Sequence, residues 1–456
     1  RDLVRSRGLG DVYKRQEVYT MDSELFKLDG RPALGKAIPL ALQHVVAMIV
    51  GCVTPAIIVS GSAGLSDADS VTLLQAALIV AALSTLLQLF PIFKGKALAI
   101  GSGLPVIMGI SFAYVPSMQA IAEGFDVATI LGAQIFGGVI AALVGLNIKA
   151  IRKFFPPLIT GTVVFAIGLS LYPTAINYMA GGVGKPNYGS WQNWAISLIT
   201  LAVVITLNHF GKGIVKLASI LIGIIVGYII SLFAGMVDFT PVANAAFFQI
   251  PMPLHFGIKF EISSCAAIGV LFAINSIQAI GDFSATTTGS MDRMPTDQEL
   301  KGGIFGYGIS NIIGALLGGL PTATFSQNVG IVVTTKVVNR VVLGLSAVIL
   351  LVAGILPKFS SLLTTIPSCV LGGATVSVFA TIAMTGIKLI TQKPLTFRST
   401  TIVGLSIAMG MGVTQASASL AQFPEWVTMI FGKSPVVLAT ICAVLLNLIL
   451  PKDKEN

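Results

Sequence analysis

Charge is what this sequence has least of: 10% of its 456 residues are Asp, Glu, Lys or Arg, against 54% hydrophobic residues. So little charge cannot clothe a water-soluble surface. Apolar stretches of about 20 residues, one helical membrane crossing each, recur from Ile38 to Leu450. These runs lack the apolar–polar alternation of a β-barrel, so the spans read as helices. The four cysteines (Cys52, Cys265, Cys369, Cys442) show no CxxC spacing and lie within or beside apolar runs. They read as small buried hydrophobes rather than disulfides or metal ligands. His209 and His255 sit near span ends without ligand-spaced partners, so no metal or cofactor is expected. A membrane enzyme would need clustered acids, histidines or a nucleophile, and the sequence offers no such cluster.

The net charge of +9 is spread over short connections and is not a nucleic-acid footprint. Apolar periods and breakers predict an all-α polytopic fold of fourteen spans, centred near residues 48, 79, 108, 138, 168, 200, 225, 273, 311, 331, 347, 375, 407 and 442. With the N-terminus inside, the inner connections and tail carry Lys94, Lys96, Lys149, Arg152, Lys153, Lys212, Lys216, Arg293, Lys301, Lys336, Arg340, Lys388, Lys393, Arg398, Lys452 and Lys454. Outer connections carry Lys185, Lys259, Lys358 and Lys433, the asymmetry that the positive-inside rule requires. Residues 1–20 are charged and have no apolar core; they are expected to be a non-native leader, with Met21 the natural start.

Fourteen divides into seven plus seven, and an odd-numbered half repeated in tandem must be inverted in the membrane. Two spans are interrupted in parallel fashion. The third opens with Gly101-Ser102-Gly103-Leu104-Pro105, and the tenth follows Gly318-Gly319-Leu320-Pro321. If the halves are inverted repeats, these two spans face each other near the midplane, with half-helix N-termini aimed at a bound acceptor.

The tenth span carries Phe325-Ser326-Gln327-Asn328-Val329-Gly330, followed by Thr334-Thr335-Lys336. Adjacent amides inside a bilayer must bond each other, the backbone or a polar ligand. They serve either as interhelical glue or as a binding site; the flanking breaker favours the site. In the eighth span, Gln278 and Asp282 are four residues apart and share a helix face. An intramembrane carboxylate is a functional candidate, the alternative being an Asp282 that pairs with Arg293 or Lys301 at the span's end. His44, in the first span, is read either as architectural or as a proton-handling residue.

Gln327-Asn328-x-Gly330-x4-Thr335-Lys336 resembles the signature of the nucleobase–ascorbate transporter family, the xanthine, urate and uracil permeases. The likeness extends from about Leu34 to Leu450, with Gln43-His44 and Ser111-Phe112 resembling family positions in the first and third spans. It implies a substrate site of Gln278, Gln327, Asn328, Ser111, Phe112 and Ser326, with Asp282 and His44 in proton coupling or architecture. It also implies a core (residues 37–155 and 262–357) sliding against a gate (156–236 and 362–450) in an elevator-like cycle, cytoplasmic ends at 21–36 and 451–456, and a homodimer in the lipid bilayer. The family places Glu where this chain has Gln278, an amide that reads a base edge but cannot carry a proton. The expected activity is import of a purine such as xanthine or urate, coupled to protons or alternatively to Na+. The rival readings are a uracil permease, an uncoupled facilitator, and an anion transporter like the sulfate permeases.

Overall fold

The computed structural model describes residues 24–93, 99–148, 156–424, 427–432 and 434–451. The leader, together with Lys94, Lys96, Lys149, Arg152, Lys153, Lys433, Lys452 and Lys454, lies outside the described residues.

The apolar runs fold as helices because a helix satisfies every backbone group within its own segment. In order they are α1 (Leu34–Ser62), α2 (Asp67–Leu89), α3 (Val115–Gly124), α4 (Val127–Leu146), α5 (Pro157–Met179), α6 (Trp191–Phe210), α7 (Ser219–Phe233), α8 (Ile262–Met291) and α9 (Asp297–Leu316). After these come α10 (Ser326–Thr335), α11 (Arg340–Gly354), α12 (Pro357–Thr364), α13 (Ser368–Ile390), α14 (Phe397–Gln415) and α15 (Pro435–Ile449). Two short strands interrupt them, β1 (Met108–Ile110) and β2 (Thr322–Thr324). Among the described residues, α1, α2, α4, α5, α6, α8 and α13 are long and apolar enough to cross a membrane, and α11 and α12 form a pair bent by 82°. Of the fourteen expected centres, residue 108 falls on β1 and the others on helices.

The helices pack in two sets. In one, α4 lies against α8 and α9, α2 against α9 and α11, α1 against α11, and α10 against α8. In the other, α13 lies against α5 and α6, α7 against α6, and α15 against α5 and α14. Small residues bring α5 and α13 together: a Cβ on Gly168 would sit 2.4 Å from the backbone nitrogen of Ala383.

The breakers act as the sequence suggests. Neither the third nor the tenth span is a continuous helix; each is a strand followed by a half-helix. β1 and β2 pair antiparallel, with Gly109 opposite Ala323, so the two half-helices leave the pair in opposite directions. A two-stranded sheet inside a membrane protein exposes edges, and a side chain bonds to each of them. The Thr85 hydroxyl accepts from Met108 N (2.9 Å) and donates to Met108 O (3.1 Å). On the far edge, the Asn311 side chain accepts from Thr322 N (2.8 Å) and donates to Thr322 O (3.3 Å).

Candidate functional site

The strand pair places a cavity of about 130 Å³ between the two helix sets. Its polar wall comes from Ser111, Gln278, Thr324, Ser326 and Gln327. Phe112 and Phe325 supply aromatic faces, and α5, α7 and α13 contribute an aliphatic side that includes Val164, Ile220 and Ile382. The first helical hydrogen bonds of α10 run from Asn328 N and Val329 N to Phe325 O. The N–H groups of Ser326 and Gln327 precede that ladder at the positive end of the half-helix, beside the cavity. Ser111 makes the matching turn on the other strand, its hydroxyl accepting from Ala113 N (3.2 Å).

Gln278 and Asp282 share a helix face, yet they do different things. Gln278 reaches the cavity. Asp282 lies one turn behind it, buried, and its carboxylate accepts from the Thr324 hydroxyl and from the Ser326 hydroxyl at 2.9 and 3.1 Å. These two hydroxyls flank Phe325, so Asp282 fixes the turn from β2 into α10. The alternative pairing of Asp282 is not realised: Arg293 binds Glu299 with both terminal nitrogens (2.8 and 2.6 Å).

Asn328 stands behind the cavity wall. It does not line the cavity; Asn328 Nδ2 donates to His44 Nδ1 (3.0 Å) and to the His44 carbonyl (3.1 Å), so the side chain ties α10 to α1. A carbonyl oxygen only accepts, so the Asn328 atom facing it is the amide nitrogen, and Nδ1 of His44 takes part as a lone pair. In this arrangement the His44 ring and carbonyl both accept from Asn328, which joins α1 to α10.

The end of the signature is a cap. Thr335 Oγ1 accepts from Val337 N (3.3 Å), Lys336 adopts a left-handed conformation (φ 60°), and its ammonium donates to the Gly289 carbonyl near the C-terminus of α8. Gly330 has open space where a Cβ would stand, so the packing gives no reason for a glycine there.

Residues 35–419 match the Permease family. A xanthine permease of Bacillus subtilis is 33% identical, the alignment covering 92% of this chain and 94% of that protein. A uric acid permease of the same organism is 34% identical, and a xanthine permease of Escherichia coli 32%, with coverage of 92–94% of both chains. The chain belongs to this permease family, the nucleobase–ascorbate transporters. It is a multi-pass membrane transporter and not an enzyme. The transmembrane domain of a cyanobacterial bicarbonate transporter (TM-score 0.59, 17% identity, 90% of this chain and 97% of that one) has a similar fold. So does the murine Slc26a9 anion transporter in its inward-facing state (TM-score 0.62, 11% identity, 90% and 68%). At those identities the likeness is one of fold.

Sequence reading of the permease missed its second aromatic wall. Phe325 is clamped edgewise by two glycines: a Cβ on Gly51 would lie 2.4 Å from Phe325 Cζ, and one on Gly109 would lie 2.5 Å from Phe325 Cε2. A glycine in each of the first and third spans, facing the aromatic residue two positions before the signature, was the available signal. The aliphatic wall carried no signal, because a side chain facing a cavity and one facing lipid have the same composition.

Proposed function

We propose that this permease is a secondary active nucleobase transporter that imports a purine, xanthine or urate, by proton symport. One observation carries the reading: two side-chain amides, Gln278 and Gln327, reach one small cavity beside the N-terminus of α10 and the rings of Phe112 and Phe325. A purine is a flat plate whose edge alternates donors and acceptors. Amides and backbone N–H groups pair that edge while an aromatic face takes the ring. The names of the xanthine and uric acid permeases among the relatives favour a purine.

In this reading fourteen crossings form two inverted sevens, both termini are cytoplasmic, and the first helix set is a core that slides along a gate built from the second. The gate forms the homodimer. Because Gln278 cannot ionise, Asp282 is the proton site, and its bonds to Thr324 and Ser326 transmit protonation to the turn that carries Gln327. The coupling ion is H+, with Na+ the alternative.

The test is uptake of radiolabelled xanthine and uracil into cells expressing the chain, with and without a protonophore. Accumulation of xanthine that the protonophore abolishes is the expected result. Uptake that ignores the protonophore and stops at equilibrium favours the second reading, an uncoupled facilitator, for which Gln278 is the specific reason. Transport of uracil but not xanthine would overturn the purine assignment.

A further inference from the structure

The cavity is one of two that lie in line. A second, polar one of about 700 Å³ shares four of its elements, α1, the third span, α5 and α13, and is displaced along each of these. On α1 the walls shift from Ala47, Val50 and Gly51 to Ile57, Ser60 and Ser62. On the third span they shift from Ser111 and Phe112 to Gln119 and Glu123, on α5 from Val164 and Ile167 to Thr174 and Asn177, and on α13 from Ile382 and Val378 to Ser368.

What separates them is a layer of contacts made by the third span. The Phe112 ring meets the fully buried Phe379 ring of α13 edge-on at 5.2 Å. Gln119 joins the two helix sets: its Nε2 donates to Ser62 Oγ of α1 (3.2 Å), and its Oε1 accepts from Thr174 Oγ1 of α5 (3.1 Å). Outside the lining of either cavity, Ser117 Oγ also meets Ser434 Oγ, ahead of α15, at 2.9 Å, with both residues buried. Helix α10, which leaves the strand pair in the opposite direction, packs on α1 and α8 of its own set. The third span is therefore bonded across the two sets on the α3 side of the cavity.

We infer that the polar groove is the permease's vestibule on the side of the α1 C-terminus, and that Gln119 is the latch that shuts it off from the central cavity. Gln119 is a positioning residue: it holds α3 against α5, and through α3 it holds Ser111 and Phe112 at the cavity. Both of its bonds are to neutral hydroxyls, so each is modest and the pair can be remade in every cycle. The contact between the Phe112 and Phe379 rings completes the seal. The inference rests on the transport reading, and with the N-terminus cytoplasmic the groove opens to the outside.

A cysteine placed on the cavity wall tests it without depending on the substrate. Val50→Cys and, separately, Ile382→Cys are alkylated in intact cells by a membrane-impermeant maleimide, the parent chain with its own four cysteines serving as blank. With Gln119 present, labelling is slow. Gln119→Leu, which keeps the volume and loses both bonds, speeds labelling from outside by about 5- to 150-fold, the span of an ordinary conformational coupling. Thr174→Val has the same sign, and Thr174→Ser, which keeps the hydroxyl, restores slow labelling. Unchanged rates, or equal acceleration from both membrane faces, would overturn the latch. Acceleration only in inside-out vesicles would place the groove on the wrong side and overturn the vestibule. Xanthine uptake by the parent chain is measured in parallel, so a wrong substrate leaves the labelling result intact.

Discussion

Replacing Gly109 by alanine asks whether Phe325 is held as a wall or merely rests there. An added Cβ would stand 2.5 and 2.6 Å from two ring carbons of Phe325 and 2.9 Å from Cys52 Sγ, all closer than atoms in contact can approach. Gly109 sits in β1 and is paired with Ala323, so its backbone cannot easily retreat. The ring must move instead, and the open direction is the cavity it lines. Overpacking of this kind costs about 1–3 kcal/mol. The displaced ring also fills space that the substrate needs, so weaker binding accompanies the loss of stability. Both are measured on purified protein, by thermal unfolding and by equilibrium binding of xanthine. Trimming the ring is the control: Gly109→Ala combined with Phe325→Leu recovers stability, with a favourable coupling of roughly 0.5–3 kcal/mol between the two sites. If Gly109→Ala unfolds and binds like the parent, or if the double variant merely adds the two single losses, Phe325 is not clamped as described.

Three further outcomes follow from the same geometry. Asn328→Ala strips His44 of its donor and costs about 1–3 kcal/mol of stability, whereas Gln327→Ala, on the cavity, weakens uptake while leaving the unfolding midpoint nearly unchanged; the reverse pattern would exchange their roles. Asp282→Asn leaves one oxygen to accept from Thr324 and Ser326 in place of two and removes the titrating group, costs about 1.5–3 kcal/mol, and makes uptake indifferent to the proton gradient; an intact gradient response would move the proton site elsewhere. Asp126, which caps α4, is partly buried, which alone would push its carboxyl up. Lys259 and the Thr129 hydroxyl and N–H outweigh this and hold it below the ordinary carboxylate range. A folded value below the unfolded one means that its stabilisation is present above the carboxylate range and is lost as pH falls through it. Asp126→Ala should therefore remove about 1 kcal/mol at neutral pH and progressively less in acid, as read by unfolding midpoints against pH.

Much of this was legible in the sequence, because the rules of a bilayer are strict. A breaker followed by Ser326-Gln327-Asn328 could not continue a lipid-facing helix, so the interruption of the tenth span was written in its residues, and the third carried the same mark. Fourfold spacing put Gln278 and Asp282 on one face. Which of the two touches the cavity was not written, since a displacement of one turn along α8 decides it. The partner of Asn328 was not written for a related reason. Amides that bind a solute and amides that bind a histidine have the same composition, and only the approach of α1 to α10 distinguishes them. The vestibule and its latch involve Gln119 and Thr174, neutral polar residues of mostly apolar segments, indistinguishable beforehand from locally satisfied side chains.

The pairing of the two short strands also sets a schedule for biosynthesis. One edge of β1 is covered as soon as Thr85 is in place, but the other waits for Thr322–Thr324, some 215 residues later in the chain. At ordinary rates of translation that interval is roughly 10–40 s. Bare strand edges in hydrocarbon cost several kcal/mol per group. During that interval the first half of the protein cannot be released into lipid as a finished bundle. It must stay sheltered by the insertion machinery or by its own neighbours until the second half arrives. A chain cut short before residue 320 should consequently be a substrate for membrane quality control rather than a stable half-transporter.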